Sequence, residues 1–284
     1  MLGKLLKYEF RSVGRILVPI GGGVLLLSAM ASLLSAAEGV NPFLRDNHWY
    51  GVLSGLLVIL VTIGILAVIF VSQFVNIQRF YRMLGQQGYL MLSLPVGAGS
   101  HMAAKLICAC VCTVATTVLL GLCFLMFVAA AGVLAPYQLA RLGSMISEID
   151  ASGVALVLYV LVLLMVSLAG SYLFYYLCIA VGSQWPQQRL AASILAYFII
   201  SFAVQVAAVL AVWGVGYLLV ELEPAFLNLQ YEGISLALNL FAAQTQNMLW
   251  VWPWLLGLLV LSLLITVAEW FLTRWLLTKR LNLG

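Results

Sequence analysis

Charge is what this chain lacks most. Only 8% of its 284 residues are Asp, Glu, Lys or Arg, against 65% hydrophobic. A soluble domain carries about 25% charged residues, so an ordinary water-facing globule is excluded. Histidine is scarce as well. His48 and His101 stand far apart in expected loops, which leaves no metal-binding cluster to assemble. No G-x-x-x-x-G-K-[ST] stretch occurs, so the chain does not hydrolyse ATP through a phosphate-cradling loop. Nor is there a Ser, Cys or carboxylate constellation of catalytic spacing. The sequence reads as that of a non-enzyme, with no cofactor of its own.

Cysteine is present but badly placed for redox or metal work. Cys108, Cys110, Cys112, Cys123 and Cys178 all fall inside long apolar runs. On a helix, positions two apart point to nearly opposite faces, so Cys110 cannot join Cys108 and Cys112. Buried cysteine otherwise behaves as a small hydrophobe. With no pair in an exposed loop, no disulfide framework is expected.

Long apolar runs are what the chain has instead. Six of them, at residues 16–37, 51–74, 106–134, 154–181, 190–220 and 250–273, reach or exceed the ~20 residues a helix needs to cross ~30 Å of hydrocarbon. They use nearly the whole chain, leaving no room for a soluble domain. The little charge there is sorts by side. Eleven of the thirteen Lys and Arg lie before the first run, in alternate loops or after the last run. The opposite loops hold Arg45 and Arg141 with seven of the nine acids. Basic flanks mark the cytoplasmic side, so both termini are expected inside the plasma membrane of a bacterium. The net charge of +4 then faces anionic lipid or a cytoplasmic partner, and nucleic acid is not implied. Ala29-Met30-Ala31 has the small-x-small form of a signal cleavage site, but the run before it is longer than a signal core.

The expected fold is therefore all-α and integral to the membrane. Residues 1–15, with Leu2, Leu5, Leu6, Tyr8 and Phe10 set against Lys4, Lys7 and Arg11, read as an amphipathic helix lying in the headgroup plane. Pro19 and Gly21-Gly22-Gly23 predict a bend in the first of the six spans of the 16–273 bundle. Small residues four apart, Gly51/Gly55 and Ser167/Ser171, would let helices approach closely, within one subunit or between two. Residues 221–249 are too polar to span and too apolar for free solvent. They read as short re-entrant helices on the outer side, followed after the last span by a cytoplasmic tail at 274–284.

Two places invite a functional reading. Glu269 is the one ionisable side chain inside an expected span. Intramembrane charges are expensive and so are functional candidates, here for a translocation path or gating. Yet Arg274 lies five residues on, and anchoring near the helix end explains Glu269 equally. The second place is the 75–105 connection, the longest on the cytoplasmic side. Residues 75–84, carrying Arg79, Phe80, Tyr81 and Arg82, read as a short amphipathic helix stopped by Gly85. Gly88, Tyr89, Leu90, Leu94 and Pro95 follow. Aromatics and arginines exposed together are what a protein partner's anchor uses, while folding down onto lipid headgroups is the bland alternative.

These residues carry a resemblance. The opening Met1-Leu2-Gly3-Lys4-Leu5-Leu6-Lys7-Tyr8-Glu9-Phe10 with Arg15 and Pro19, the loop Gly88 to Val96 followed by Lys105, and the tail Lys279-Arg280-Leu281-Asn282-Leu283 resemble a permease subunit of the bacterial ABC type-2 exporter class. Gln86-Gln87 stands where that family often has an acidic pair. The resemblance implies that residues 75–105 form a coupling helix docked on a separate ATP-binding subunit, with Gly182–Arg189 as a minor contact. It also implies a second permease copy or paralogue, and ATP and Mg bound on the partner chain. The expected function is export of an amphipathic or lipophilic compound, such as an antimicrobial peptide or drug. Two other classes compete: a proton-coupled secondary transporter using Glu269, and a non-transporting sensor or scaffold subunit.

Overall fold

Within a bilayer no water is available to backbone amides, so an apolar run must satisfy its own hydrogen bonds, and a helix does so locally. The computed structural model, which describes residues 2–41, 43, 47–84, 98–130, 151–222 and 251–279, follows that rule. Its elements are α1 (Leu2–Val40), α2 (His48–Leu84), α3 (Ala98–Ala130), α4 (Ala151–Gly182), a 3-10 turn (Pro186–Gln188), α5 (Arg189–Leu222) and α6 (Val251–Lys279). All six α-helices contain a stretch long and apolar enough to cross a membrane. Hydroxyls inside them bond back to the preceding turn, as Thr62 does to the Val58 carbonyl at 2.8 Å and Thr266 to that of Ser262 at 2.8 Å. Such back-bonding hides a polar side chain in an apolar helix.

Several element boundaries differ from the sequence expectation. Residues 1–15 do not form a helix separate from the first span; they are the opening turns of α1, which runs on through Pro19. Residues 75–84 are likewise the end of α2, and α3 starts as early as Ala98. His48 and His101, expected in loops, both sit in the first turn of a helix. At three of these ends, polar residues find partners in neighbouring helices, Glu9 with Arg79 and Lys105 and Asn76 with Tyr172, and need no loop to reach water. The expected re-entrant segment falls outside the described residues, apart from its start at the end of α5.

The chain divides within α4 into two compact units, one through Tyr172 and one from Leu173 onward. In the first, α1 packs on both α2 and α3, and α2 on α3. Two apolar clusters sit between them. Val13, Val75, Cys108 and Cys112 form one, and Val24, Val68 and Cys123 the other. Lipid tails are as apolar as these side chains, so close packing is what holds such an interface. Gly64 provides it: a Cβ there would stand 3.0 Å from Val24 Cγ2. Gly51 and Gly55 do not, because a Cβ at either meets nothing within 4 Å. Their small size serves no contact within the chain among the described residues. At the far end the Tyr50 hydroxyl donates to the Leu34 carbonyl at 3.0 Å, tying the start of α2 to α1.

In the second unit, the end of α4 and the start of α5 form a tight helical hairpin. Tyr175 stacks on Tyr197 with centroids 5.9 Å apart, and Phe174 meets Tyr197 edge-on at 5.8 Å. Nearer the turn, a Cβ on Gly182 would lie 2.5 Å from the backbone N and Cα of Ser193. Only glycine allows the two helices to close that near to their connection.

Candidate functional site

At the start of α1 the side chains repeat with helical period. Phe10, Val13, Leu17 and Ile20 turn toward α2 and α3, whereas Lys4, Lys7, Tyr8 and Arg11 face outward. Glu9 belongs to the inward stripe, and only 8% of it is exposed. Its carboxylate pairs through Oε2 with Arg79 near the end of α2. Oε1 accepts from Lys105 Nζ, near the start of α3, at 3.0 Å. Arg79 Nη1 also donates to the backbone carbonyl of Glu9 at 2.9 Å. One residue thus joins three helix ends and sets them on the same side of the unit.

The surroundings are dry. Lys105 is 7% exposed and His101, one turn earlier on α3, is 3% exposed with Nε2 unpartnered. One turn inward, the Val13, Val75, Cys108 and Cys112 cluster closes over the ions. Beyond it lies a neutral network, in which Asn76 Nδ2 donates to the Tyr172 hydroxyl at 3.2 Å and that hydroxyl meets Thr113 Oγ1 at 2.5 Å. This network ties α4, at Tyr172, to α2 and α3. Ser72 Oγ, one turn from Asn76 on α2, is buried without a partner.

The sequence candidates scatter around this cluster. Arg79 belongs to it. Phe80, expected on the surface as a partner's anchor, is instead wholly buried in the unit. The correction has a geometric cause. Because 75–84 continues α2, Phe80 falls on the same inward stripe as Asn76 and Met83 rather than on the free face of a separate helix. Tyr81 is half-buried and Arg82 is exposed. Gly88, Tyr89, Leu90, Leu94 and Pro95 lie outside the described residues. Arg189 opens α5 in the other unit, half-buried, next to the 3-10 turn and beyond the exposed Trp185.

Glu269 lies on α6, half-buried, with Oε2 enclosed and without a hydrogen-bond partner. The Thr273 hydroxyl bonds to the Glu269 carbonyl at 2.7 Å, not to its carboxylate. Arg274 is exposed and makes no recorded ion pair with it, so the anchoring reading gains no contact among the described residues.

Among the described residues no group of three His, Cys, Asp or Glu is placed to hold a metal ion. The cluster acts by electrostatics, as a buried tie between helices. Sequence reading passed over Glu9, His101 and the Asn76, Tyr172 and Thr113 network. The usable signal was the inward stripe on α1, which places Glu9 among apolar positions and away from the basic face. Compared with protein-family models, with curated proteins and with solved structures, the chain has no match to any.

Proposed function

We propose that this chain is the membrane-spanning permease subunit of an ATP-driven exporter of the ABC type-2 class. It would move an amphipathic or lipophilic compound across a bacterial plasma membrane, with both termini cytoplasmic. ATP and Mg would sit on a separate ATPase subunit, and a second permease copy or paralogue would complete the path. The observation that carries this reading is the α2–α3 hairpin. At 37 residues α2 is about 55 Å long, well over the ~30 Å of hydrocarbon. Its last ten residues continue past the apolar stretch as helix, leaving Arg82 exposed. A basic side chain held on a rigid helix end suits a docking role, since an anchor held in place loses little entropy on binding.

The test is direct. The full-length chain, affinity-purified in mild detergent from its native membrane, should retain a subunit that hydrolyses MgATP. Arg82→Glu should cut that retained activity by about tenfold, the loss expected for ~1.4 kcal/mol at an anchor. Trp49→Ala, exposed at the opposite end of α2, should leave it unchanged. A wild-type preparation without associated hydrolysis overturns the reading.

One observation favours a second reading. The enclosed, partnerless Oε2 of Glu269 suits a carboxyl that takes up and releases a proton, as in a proton-coupled transporter. It stands alone, whereas such proteins usually string several ionisable groups across the membrane.

A further inference from the structure

The end of α2 and the start of α3 are the two legs of the hairpin, and each leg carries one inward cation. Arg79 is five residues before the last residue of α2, and Lys105 is seven after the first of α3. Two cations drawn to one point repel each other strongly in a poorly solvated setting. The hairpin has nothing of its own to offset this, because no Asp or Glu occurs between Asp46 and Glu148. The counter-charge comes from outside it, from α1. We infer that Glu9 is a positioning residue, whose single carboxylate holds Arg79 and Lys105 together and so fixes the end of α2 and the start of α3, with exposed Arg82, as the face an ATPase subunit would meet.

Two features make Glu9 more than a neutraliser. The Arg79 guanidinium is held twice, by the carboxylate and by the Glu9 backbone carbonyl, so the fork is fixed in orientation and grips the α1 backbone itself. Movement of the α2 leg must therefore displace α1. In addition, the carboxylate oxygens are divided between the legs, Oε2 to α2 and Oε1 to α3. Loss of the charge releases both legs at once. The opening turns of α1 are on this account part of the coupling apparatus, and a headgroup anchor would need no such buried acid. The inference rests on the permease reading, in that a face with nothing to dock on needs no fixed position.

The experiment uses the full-length chain purified with its ATPase subunit and placed in lipid nanodiscs. Two readouts are taken: amide hydrogen exchange over 76–84 and 98–108, and the KM and maximal rate of transport-coupled MgATP hydrolysis. Glu9→Gln preserves shape and removes charge. It should speed exchange in both legs and lower the maximal rate by at least about fivefold, the lower end of typical coupling between sites. The KM for ATP should not change, because nucleotide binds on the other subunit. Glu9→Asp keeps the carboxylate and should keep both readouts close to wild type, which a plain packing role would not do. Faster exchange with an unchanged rate overturns the inference and leaves the permease reading standing. Unchanged exchange and unchanged rate also overturn it. If wild type carries no ATPase, the permease reading falls and takes the coupling role with it, while slow exchange kept in Glu9→Asp and lost in Glu9→Gln still identifies Glu9 as the tie between the legs.

Discussion

Glu9 and Arg79 lie 70 residues apart in sequence and are bound to each other twice, once through the carboxylate and once through the Glu9 backbone carbonyl at 2.9 Å. With Lys105 on the other carboxylate oxygen, the contact gathers the ends of three long helices into one knot. Next to it packs the apolar cluster of Val13, Val75, Cys108 and Cys112, and Phe80 is buried outright.

Because the charges are buried, removing one or all three should have opposite effects. Glu9→Leu leaves Arg79 and Lys105 without a partner and should destabilise the chain by roughly 3–5 kcal/mol. The triple change Glu9→Leu, Arg79→Met and Lys105→Met removes the whole cluster and should be near neutral or stabilising by about 1–4 kcal/mol. Thermal unfolding of the purified protein in one detergent compares them. A triple variant less stable than Glu9→Leu would contradict the burial argument.

Phe80 and Tyr81 are neighbours with different tasks. Phe80→Ala empties a closed site and should cost about 3–5 kcal/mol of stability. Tyr81→Ala, at a half-exposed position, should leave stability within about 0.5 kcal/mol and weaken ATPase retention instead. Thermal unfolding and co-purified hydrolysis, measured on the same two variants, separate the effects. Equal losses of stability would show that residues 75–84 are packed on both faces.

The number and type of elements were legible in the sequence, and the ends were not. Six uninterrupted apolar runs leave a bilayer-embedded chain little choice but helix, and they match six long helices. The ends slipped by up to fourteen residues, at the start of α1, because polarity was read as the end of a span. At Asn76, Arg79, His101 and Lys105 it signals burial against other helices instead. The partners of Glu9 were not legible for a related reason. An acid in a basic leader has a plain local reading, and nothing nearby announces partners on α2 and α3. Phe80 was misplaced because its face depends on whether 75–84 continues α2, which tertiary contacts decide. Most of the expected coupling residues, Gly88 to Pro95, lie outside the described residues.

Glu269→Gln separates the two transport readings. The enclosed Oε2 has no donor to lose, so the substitution should leave expression and thermal stability unchanged. ATP-driven transport, followed as uptake of a lipophilic cationic dye into inverted vesicles, should fall by less than about twofold, which is ~0.4 kcal/mol. Complete loss of uptake with ATPase association intact would favour the proton-coupled mechanism.

The account stands or falls on what faces Arg82. A photo-crosslinking amino acid at position 82 of the full-length chain, irradiated in native membranes, reports its neighbour without purification. The account predicts a protein adduct whose partner peptides carry a nucleotide-binding G-x-x-x-x-G-K-[ST] motif, formed at position 82 and absent when the same probe replaces Trp49. Adducts with lipid alone at position 82 would contradict it, and would make this hairpin a membrane-surface element.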